Sequence, residues 1–435
     1  MEKFTEKLGN ALLPLAEKLS ENRYLKSISS GFSACLPVVI VGALFTLLAN
    51  LNITFYQNMI TAVHLKDIFS FVPKITTDML ALYSVYSISR AAAGNIGMEK
   101  QADSIGLLTL AVFLVMIPLG VTGTEKDITV VVAAALSTTY LGAAGLFTAM
   151  IFGLVIPVLY KFFIDKNLII RMPDSVPPQI ATSFQGILPS FSILFLAALL
   201  RFAFSLTAYG DINTCIYTLL KAPLAALGAS PVTMIVMILM CSIMWFFGLH
   251  GGMIVMPFIN MLYMPLAMEN LTAYGAGAQL PNIIVKSAWS GYASLGGAGG
   301  TVGLCVIMCF LAKSQRYKAL GKLALPSGIC GINEPITFGL PMVLNTIMLI
   351  PLIFTPIITF TLSYLMTSIG VIPVMNGMEI PLGTPILLAG MLCGGWKLAV
   401  WQAVLVLVQI VCYFPFFKVL DTQALKEEQE QRGEI

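Results

Sequence analysis

Charge is the scarcest thing in this chain. Of its 435 residues only 10% are Asp, Glu, Lys or Arg, while 58% are hydrophobic; a water-soluble domain carries about 25% charged residues. Such an inventory cannot cover a globule in water. The medium it suits is lipid, in keeping with a mean hydropathy of +0.89. A net charge of +3, from 24 basic and 21 acidic residues scattered along the chain, excludes an electrostatic footprint for nucleic acid. Histidine is nearly absent too, with two in all, and no CxxC occurs, so no metal cluster is expected. The eight cysteines, Cys35, Cys215, Cys241, Cys305, Cys309, Cys330, Cys393 and Cys412, lie mostly in apolar runs and read as small buried hydrophobes. Cys305 and Cys309, one helical turn apart, read as same-face packing. Also missing are a P-loop, a GxGxxG after a strand and an HExxH, so no cofactor is expected. The run Gly296 to Gly300 reads as close helix packing rather than a phosphate cradle.

Long apolar runs are what the chain has in abundance. A hydrocarbon core of about 30 Å needs about 20 apolar residues in helix, and Gly31 to Leu51 supplies them without a single charge. Further strong runs are Ser104 to Val121, Leu141 to Phe163, Ser190 to Leu206, Pro231 to Gly248, Thr301 to Ala312, Thr346 to Ile369 and Leu398 to Phe417. Weaker segments lie at 79–93, 128–139, 253–266 and 384–393. The fold expected is an all-α polytopic integral membrane protein of about ten transmembrane helices, with re-entrant hairpins in its C-terminal half.

Phe4, Leu8, Leu12, Leu15 and Leu19 form an apolar stripe at helical spacing, interrupted by Pro14, which predicts a helix lying on the membrane surface. Lys313, Arg316, Lys318 and Lys322 are the densest basic cluster, and the tail after Lys418 adds Lys426 and Arg432. By the positive-inside rule both termini and the 313–322 loop are cytoplasmic, which implies an even number of crossings. The charged first thirty residues do not look like a cleaved signal peptide. Between Ile212 and Leu420 only three carboxylates occur, Glu269, Glu334 and Glu379. Gly-rich breaks also gather there, at 248–252 (GLHGG), 294–300 (SLGGAGG) and 326–335 (PSGICGINEP). The expected organisation is therefore an amphipathic segment at 1–30, an N-terminal helical domain at 31–220, a C-terminal substrate-binding domain at 221–417 and a tail at 418–435.

Glu334 is the residue most in need of a reason. Pro335 disfavours helix at the position before it, and Gly and Pro surround the Asn333-Glu334-Pro335 triplet, so Glu334 belongs at a break in the backbone. Irregular backbone at membrane depth survives only inside protein or beside a watery cavity. An ionisable group near the bilayer centre costs about 2.5 to 3.5 kcal/mol on insertion scales, and no Lys or Arg between Leu323 and Trp396 is at hand to neutralise it. Glu379 falls in a loop. His250 sits among Gly248, Gly251 and Gly252, where the backbone can turn sharply or approach a ligand; His64, beside Lys66 and Asp67, reads as solvated. One carboxylate, one imidazole, Asn333 and the rings of Trp245 and Trp289 would suit a neutral polyhydroxylated molecule: hydroxyls need donors and acceptors, and a sugar face stacks on an aromatic ring. The carboxylate could also take the proton of a hydroxyl about to be phosphorylated.

The segment GINEPITFGLPMVLN, with FFGLHGG upstream and a short charged tail, resembles the sugar-translocating IIC subunits of the bacterial phosphotransferase system, in the lactose/cellobiose/diacetylchitobiose family. The resemblance extends over essentially the whole chain. It implies a homodimer in the bacterial cytoplasmic membrane and a C-terminal domain that holds a β-linked disaccharide, diacetylchitobiose or cellobiose. It also implies a separate phosphorylated IIB protein that supplies the phosphoryl group, with the 313–322 loop as a candidate docking surface. Glu334 and His250 are then the expected catalytic residues, and Asn333, His250, Glu334, Trp245, Gly251 and Trp289 the expected sugar contacts, with no metal or cofactor. Two rivals remain at this point: an ion-coupled sugar transporter with Glu334 and His250 as a proton relay, and an intramembrane hydrolase, which lacks paired carboxylates or a nucleophile motif.

Overall fold

A chain crossing lipid must satisfy its N–H and C=O groups within itself, and helices do so segment by segment. The computed structural model describes residues 22–50, 54–125, 128–136, 138–173, 176–216, 218–219, 227–228, 230–340 and 342–431. The apolar stripe at 4–19 and most of the span around residue 220 lie outside them. The described residues form two compact units: 22–219 together with Asn260–Met268, and Leu227–Ile259 together with Glu269 to 431.

The first unit begins with α1 (Arg23–Asn50), whose 28 residues extend about 42 Å at 1.5 Å per residue. Then come α2 (Thr54–Ala62), α3 (Leu65–Ile75), α4 (Leu80–Asn95) and α5 (Ala102–Met116). After a two-stranded ribbon follow α6 (Leu146–Asp165), α7 (Pro178–Gln185), α8 (Ile187–Ser205) and α9 (Ile212–Ile216). Where helices meet, the contact residues are small. A Cβ on Gly31 of α1 would fall on the backbone of Ile88 in α4, and one on Gly153 of α6 would fall on the Ile88 side chain. Association in lipid relies on such close approach, since lipid tails are as apolar as leucine. The last carbonyls of α5 leave the helical ladder and are met from elsewhere: Arg201 Nη1 donates to the oxygens of Val115 (2.6 Å) and Ile117 (3.1 Å), and Asn213 Nδ2 to that of Met116 (2.9 Å).

The ribbon corrects the expectation of an all-α chain. β1 (Leu119–Glu125) pairs antiparallel with β2 (Ile128–Leu136), with an irregularity between Leu119 and Val121. Val, Ile and Thr favour pleated backbone, and they dominate Ile128 to Val132. A two-stranded ribbon has open edges that hydrocarbon cannot satisfy, so the weak segment at 128–139 is not a span. Among the described residues six helices are long and apolar enough to cross: Arg23–Asn50, Ala143–Asp165, Ile180–Ser205, Gly251–Gly275, Thr346–Ser368 and Trp396–Gln431; Pro231–Phe246 is a shorter apolar helix.

The second unit is built from interrupted helices. It contains α10 (Pro231–Phe246), the two ends of α11 (Gly251–Gly275), whose middle, Asn260–Met268, belongs to the first unit, and a short α12 (Lys286–Ala288) that runs on as a π-turn over Trp289–Ala293. Next are α13 (Val302–Phe310), α14 (Gln315–Ile329), α15 (Glu334–Gly339), α16 (Thr346–Ser368), α17 (Ile386–Gly394) and the 36-residue α18 (Trp396–Gln431). Each interruption frees backbone groups, and one face of α18 takes them up. Gln402 Oε1 accepts from Gly390 N while its Nε2 donates to Gly291 O; Gln409 Oε1 accepts from Gly303 N while its Nε2 donates to Leu295 O; the Tyr413 hydroxyl donates to Gly299 O. At spacings of seven and four, these three lie on one stripe, and all are buried. Near its end, α18 reaches the start of α14. Asp421 accepts from the N–H groups of Lys313 and Ser314, and Glu428 from those of Gln315 and Arg316, negative groups where a helix start favours them.

Losing both amide contacts of Gln409 should be costly, because each buried group left unpaired costs about 1–3 kcal/mol. Gln409→Leu should therefore lower the unfolding temperature in detergent clearly. The same substitution at exposed Gln423 should leave it unchanged, and equal effects at both positions would refute the pinning role.

Candidate functional site

The Asn333-Glu334-Pro335 corner follows from local chemistry. α14 ends in a left-handed glycine: Gly331 has φ 78°, Ile332 N bonds Ser327 O (2.9 Å) and Gly331 N bonds Gly328 O (3.0 Å), the pair of bonds of a Schellman motif. Asn333 is the N-cap of α15, Glu334 its first residue, and Pro335 occupies an early position where no N–H is required. The break expected at Glu334 is therefore present. The Glu334 side chain itself lies outside the described part of the structure.

The second glycine break meets this corner. Gly296, Gly297, Gly299 and Gly300 all have positive φ, between 65° and 97°, and a Cβ on Gly297 would fall on the Asn333 side chain. Asn333, 6% exposed, donates from Nδ2 to Ala298 O at 2.7 Å. Its amide donor thus joins two irregular segments.

The first break turns α10 into α11. Gly248 has φ 81°, and His250 is the N-cap of α11, its Nδ1 accepting from Met253 N at 3.2 Å. An accepting Nδ1 places the proton of the neutral ring on Nε2, which leaves Nε2–H as an outward donor on an exposed side chain. The Trp245 ring stands 4.6 Å from the imidazole, centroid to centroid. Its Nε1–H is buried and finds no acceptor among the described residues. Gly251 has a packing reason beyond any contact with a ligand, since a Cβ there would collide with the Cys241 carbonyl, whereas one on Gly252 would meet only the His250 ring at 3.4 Å. The His250 turn also touches the stretch after α15: Leu344 N donates to Phe246 O at 2.8 Å, and a Cβ on Gly248 would meet Val343 at 3.2 Å.

Nearby lies a narrow cleft of about 10 Å³ lined by Ile238, Cys241 and Ser242 of α10, Trp289, Ala293 and Ser294 of the π-turn, and Ala298 and Gly299 of the glycine-rich turn, with Pro356; Asn333, Trp245 and His250 are not among its lining residues. Trp289 is thus a cleft wall, while Trp245 contacts His250. The structure also brings together a pair that sequence reasoning passed over. Lys286 Nζ lies 2.6 Å from Glu379 Oε2, with side chains 15% and 6% exposed. The rarity of charge in this half, where Lys286 is the only Lys or Arg between Lys221 and Lys313, was the available signal. Glu379 is in irregular backbone, as its loop context predicts, yet it is buried.

Apolar helices long enough to span a membrane, with a unit of interrupted helices beside a small cleft, are the architecture of a membrane carrier. The family model for the phosphotransferase system EIIC domain matches residues 29–356, and the chain belongs to that family, as a sugar-specific membrane component of a sugar-phosphorylating system. The lichenan permease IIC component of Bacillus subtilis is 32% identical, over 99% of this chain and 96% of its own length. The cellobiose-specific EIIC component of Geobacillus stearothermophilus is 32% identical, over 99% of this chain and 97% of its own length. Among solved structures, the crystal structure of ChbC, the IIC component of an N,N'-diacetylchitobiose-specific phosphotransferase system, superimposes with a TM-score of 0.92 at 30% identity, covering 97% of this chain and 99% of that one.

Gly251→Ala should cost about 1–3 kcal/mol through overpacking and lower thermal stability in detergent. Gly252→Ala should stay near the parent value, and the reverse order would contradict the packing described for this turn.

Proposed function

We propose that this protein binds a β-linked disaccharide of the cellobiose or diacetylchitobiose type in its C-terminal unit and carries it inward, with phosphorylation by a separate IIB protein. The observation that carries the reading is the full-length similarity to permeases named for lichenan, cellobiose and diacetylchitobiose, together with a His250 donor and a Glu334 corner on neighbouring broken segments. At about 10 Å³ the cleft is far smaller than the roughly 300–1,000 Å³ of sites that enclose a drug-sized ligand, so seating two sugar rings requires its walls to part.

In this mechanism Glu334 accepts the proton of the hydroxyl that receives the phosphoryl group. His250 donates from Nε2 to a sugar oxygen, and the buried Nε1–H of Trp245 supplies a second donor. Asn333 fixes orientation by tying the Glu334 corner to Ala298, and Trp289 offers its ring to a sugar face. Phosphorylation gives the product charge and removes it from the outward path, so accumulation needs no ion gradient. IIB meets the cytoplasmic side at the Lys313 to Lys322 cluster, where Lys313, Arg316 and Lys322 are exposed. A homodimer formed through the N-terminal domain, with both termini cytoplasmic, completes the proposal.

Glu334→Gln in proteoliposomes supplied with the phosphorylated partner should cut sugar phosphorylation by about 10² to 10⁴, the range of general-base contributions. Near-parental rates would exclude the base role, and uptake abolished by an uncoupler but indifferent to the partner would favour an ion-coupled carrier. His250→Asn keeps an N-cap acceptor but loses the Nε2 donor. It should weaken disaccharide binding by up to about tenfold, one hydrogen bond's worth, and calorimetry showing an unchanged Kd would remove His250 from the pocket.

A further inference from the structure

The Lys286–Glu379 pair has no place in the mechanism above. Bringing two charges out of water is costly, and attraction compensates only when the remaining polar atoms are also satisfied. Here they are not: Glu379 Oε1 is buried and has no partner among the described residues. Stability alone does not account for such a pair, and its location suggests what does. Glu379 belongs to a stretch without regular structure that is already fastened to α17. Asn376 N donates to Cys393 O (2.8 Å), Asn376 Nδ2 to Leu392 O (2.9 Å), and Met378 N to Asn376 Oδ1 (2.9 Å). The ammonium of Lys286, at the start of α12, is tied to that fastened stretch. One turn further on, in the π-turn, stands Trp289, which lines the cleft with Ala293 and Ser294. π-turns are rare and occur often at functional sites.

We infer that Lys286 and Glu379 are positioning residues for the sugar site, holding the π-turn so that Trp289 forms the cleft wall. This rests on the sugar-binding reading given above. When Glu379 loses its charge, Lys286 is left as an unpaired, half-buried ammonium, and the segment carrying Trp289 must shift to hydrate it.

The test combines two readouts on purified, folded full-length protein. The first is the fluorescence contributed by Trp289, taken as the difference between each protein and its Trp289→Phe counterpart; it needs no sugar. In Glu379→Gln this emission should move to longer wavelength, and the reversed pair Lys286→Glu/Glu379→Lys should restore it. The second is disaccharide uptake with the phosphorylated partner: KM should rise about tenfold while kcat stays within about a factor of two, the pattern of lost binding rather than lost chemistry. A purely structural role would lower the melting temperature and leave both readouts at parental values, and that result overturns the inference. If Glu379→Gln does not fold, Lys286→Met answers the same question. Failure of the parent protein to take up any β-linked disaccharide would sink the transport reading, while the Trp289 emission would still decide the role of the pair.

Discussion

Backbone hydrogen bonding in a medium that offers none is the constraint from which this architecture follows. The first unit meets it with long helices and with Arg201 and Asn213 at the end of α5, where the chain opens into irregular backbone. The second unit breaks its helices repeatedly and must therefore supply partners from side chains. Gln402 on α18 holds the π-turn, Gln409 and Tyr413 hold the glycine-rich turn after it, and Asn333 ties that same turn to the Glu334 corner. Non-helical main chain in a membrane protein is tolerated only inside protein or beside a wet cavity, and these buried side-chain amides are what let the helices of this unit break.

The glycines serve the same end. Gly297 lets one irregular turn lie on Asn333, and Gly251 lets the first turn of α11 lie on the carbonyl of Cys241. With the segments this close, a few side chains can act together. The Trp245 ring lies tilted against a histidine that caps a helix, and the Glu334 corner is tied to the glycine-rich turn by the amide of the residue before it. Polar groups in such a site are held by second partners, and His250 and Asn333 both show them.

Much of this was legible in composition and pattern. Apolar runs marked Arg23–Asn50, Pro231–Phe246, Thr346–Ser368 and most of α18, and Pro335 after Glu334 marked the corner. Two things were not legible, for different reasons. The span read at 128–139 is a strand because periodicity alone cannot separate short apolar strand from helix, and the β-branched residues decided it. Lys286 and Glu379 stand 93 positions apart in the sequence, and no local pattern announces that two distant charges share one buried contact.

Lipid as the solvent, helix as the main element, the places where helices break and the family were all determined by the amino-acid sequence, because each depends on side-chain chemistry within a few residues of itself. Which side chain closes which broken turn, that the donor of Asn333 is committed to Ala298, and that Trp289 rather than Trp245 walls the cleft were decided only in the tertiary structure. Those facts depend on groups meeting across tens to hundreds of residues, where direction and distance arise from packing and cannot be read from spacing.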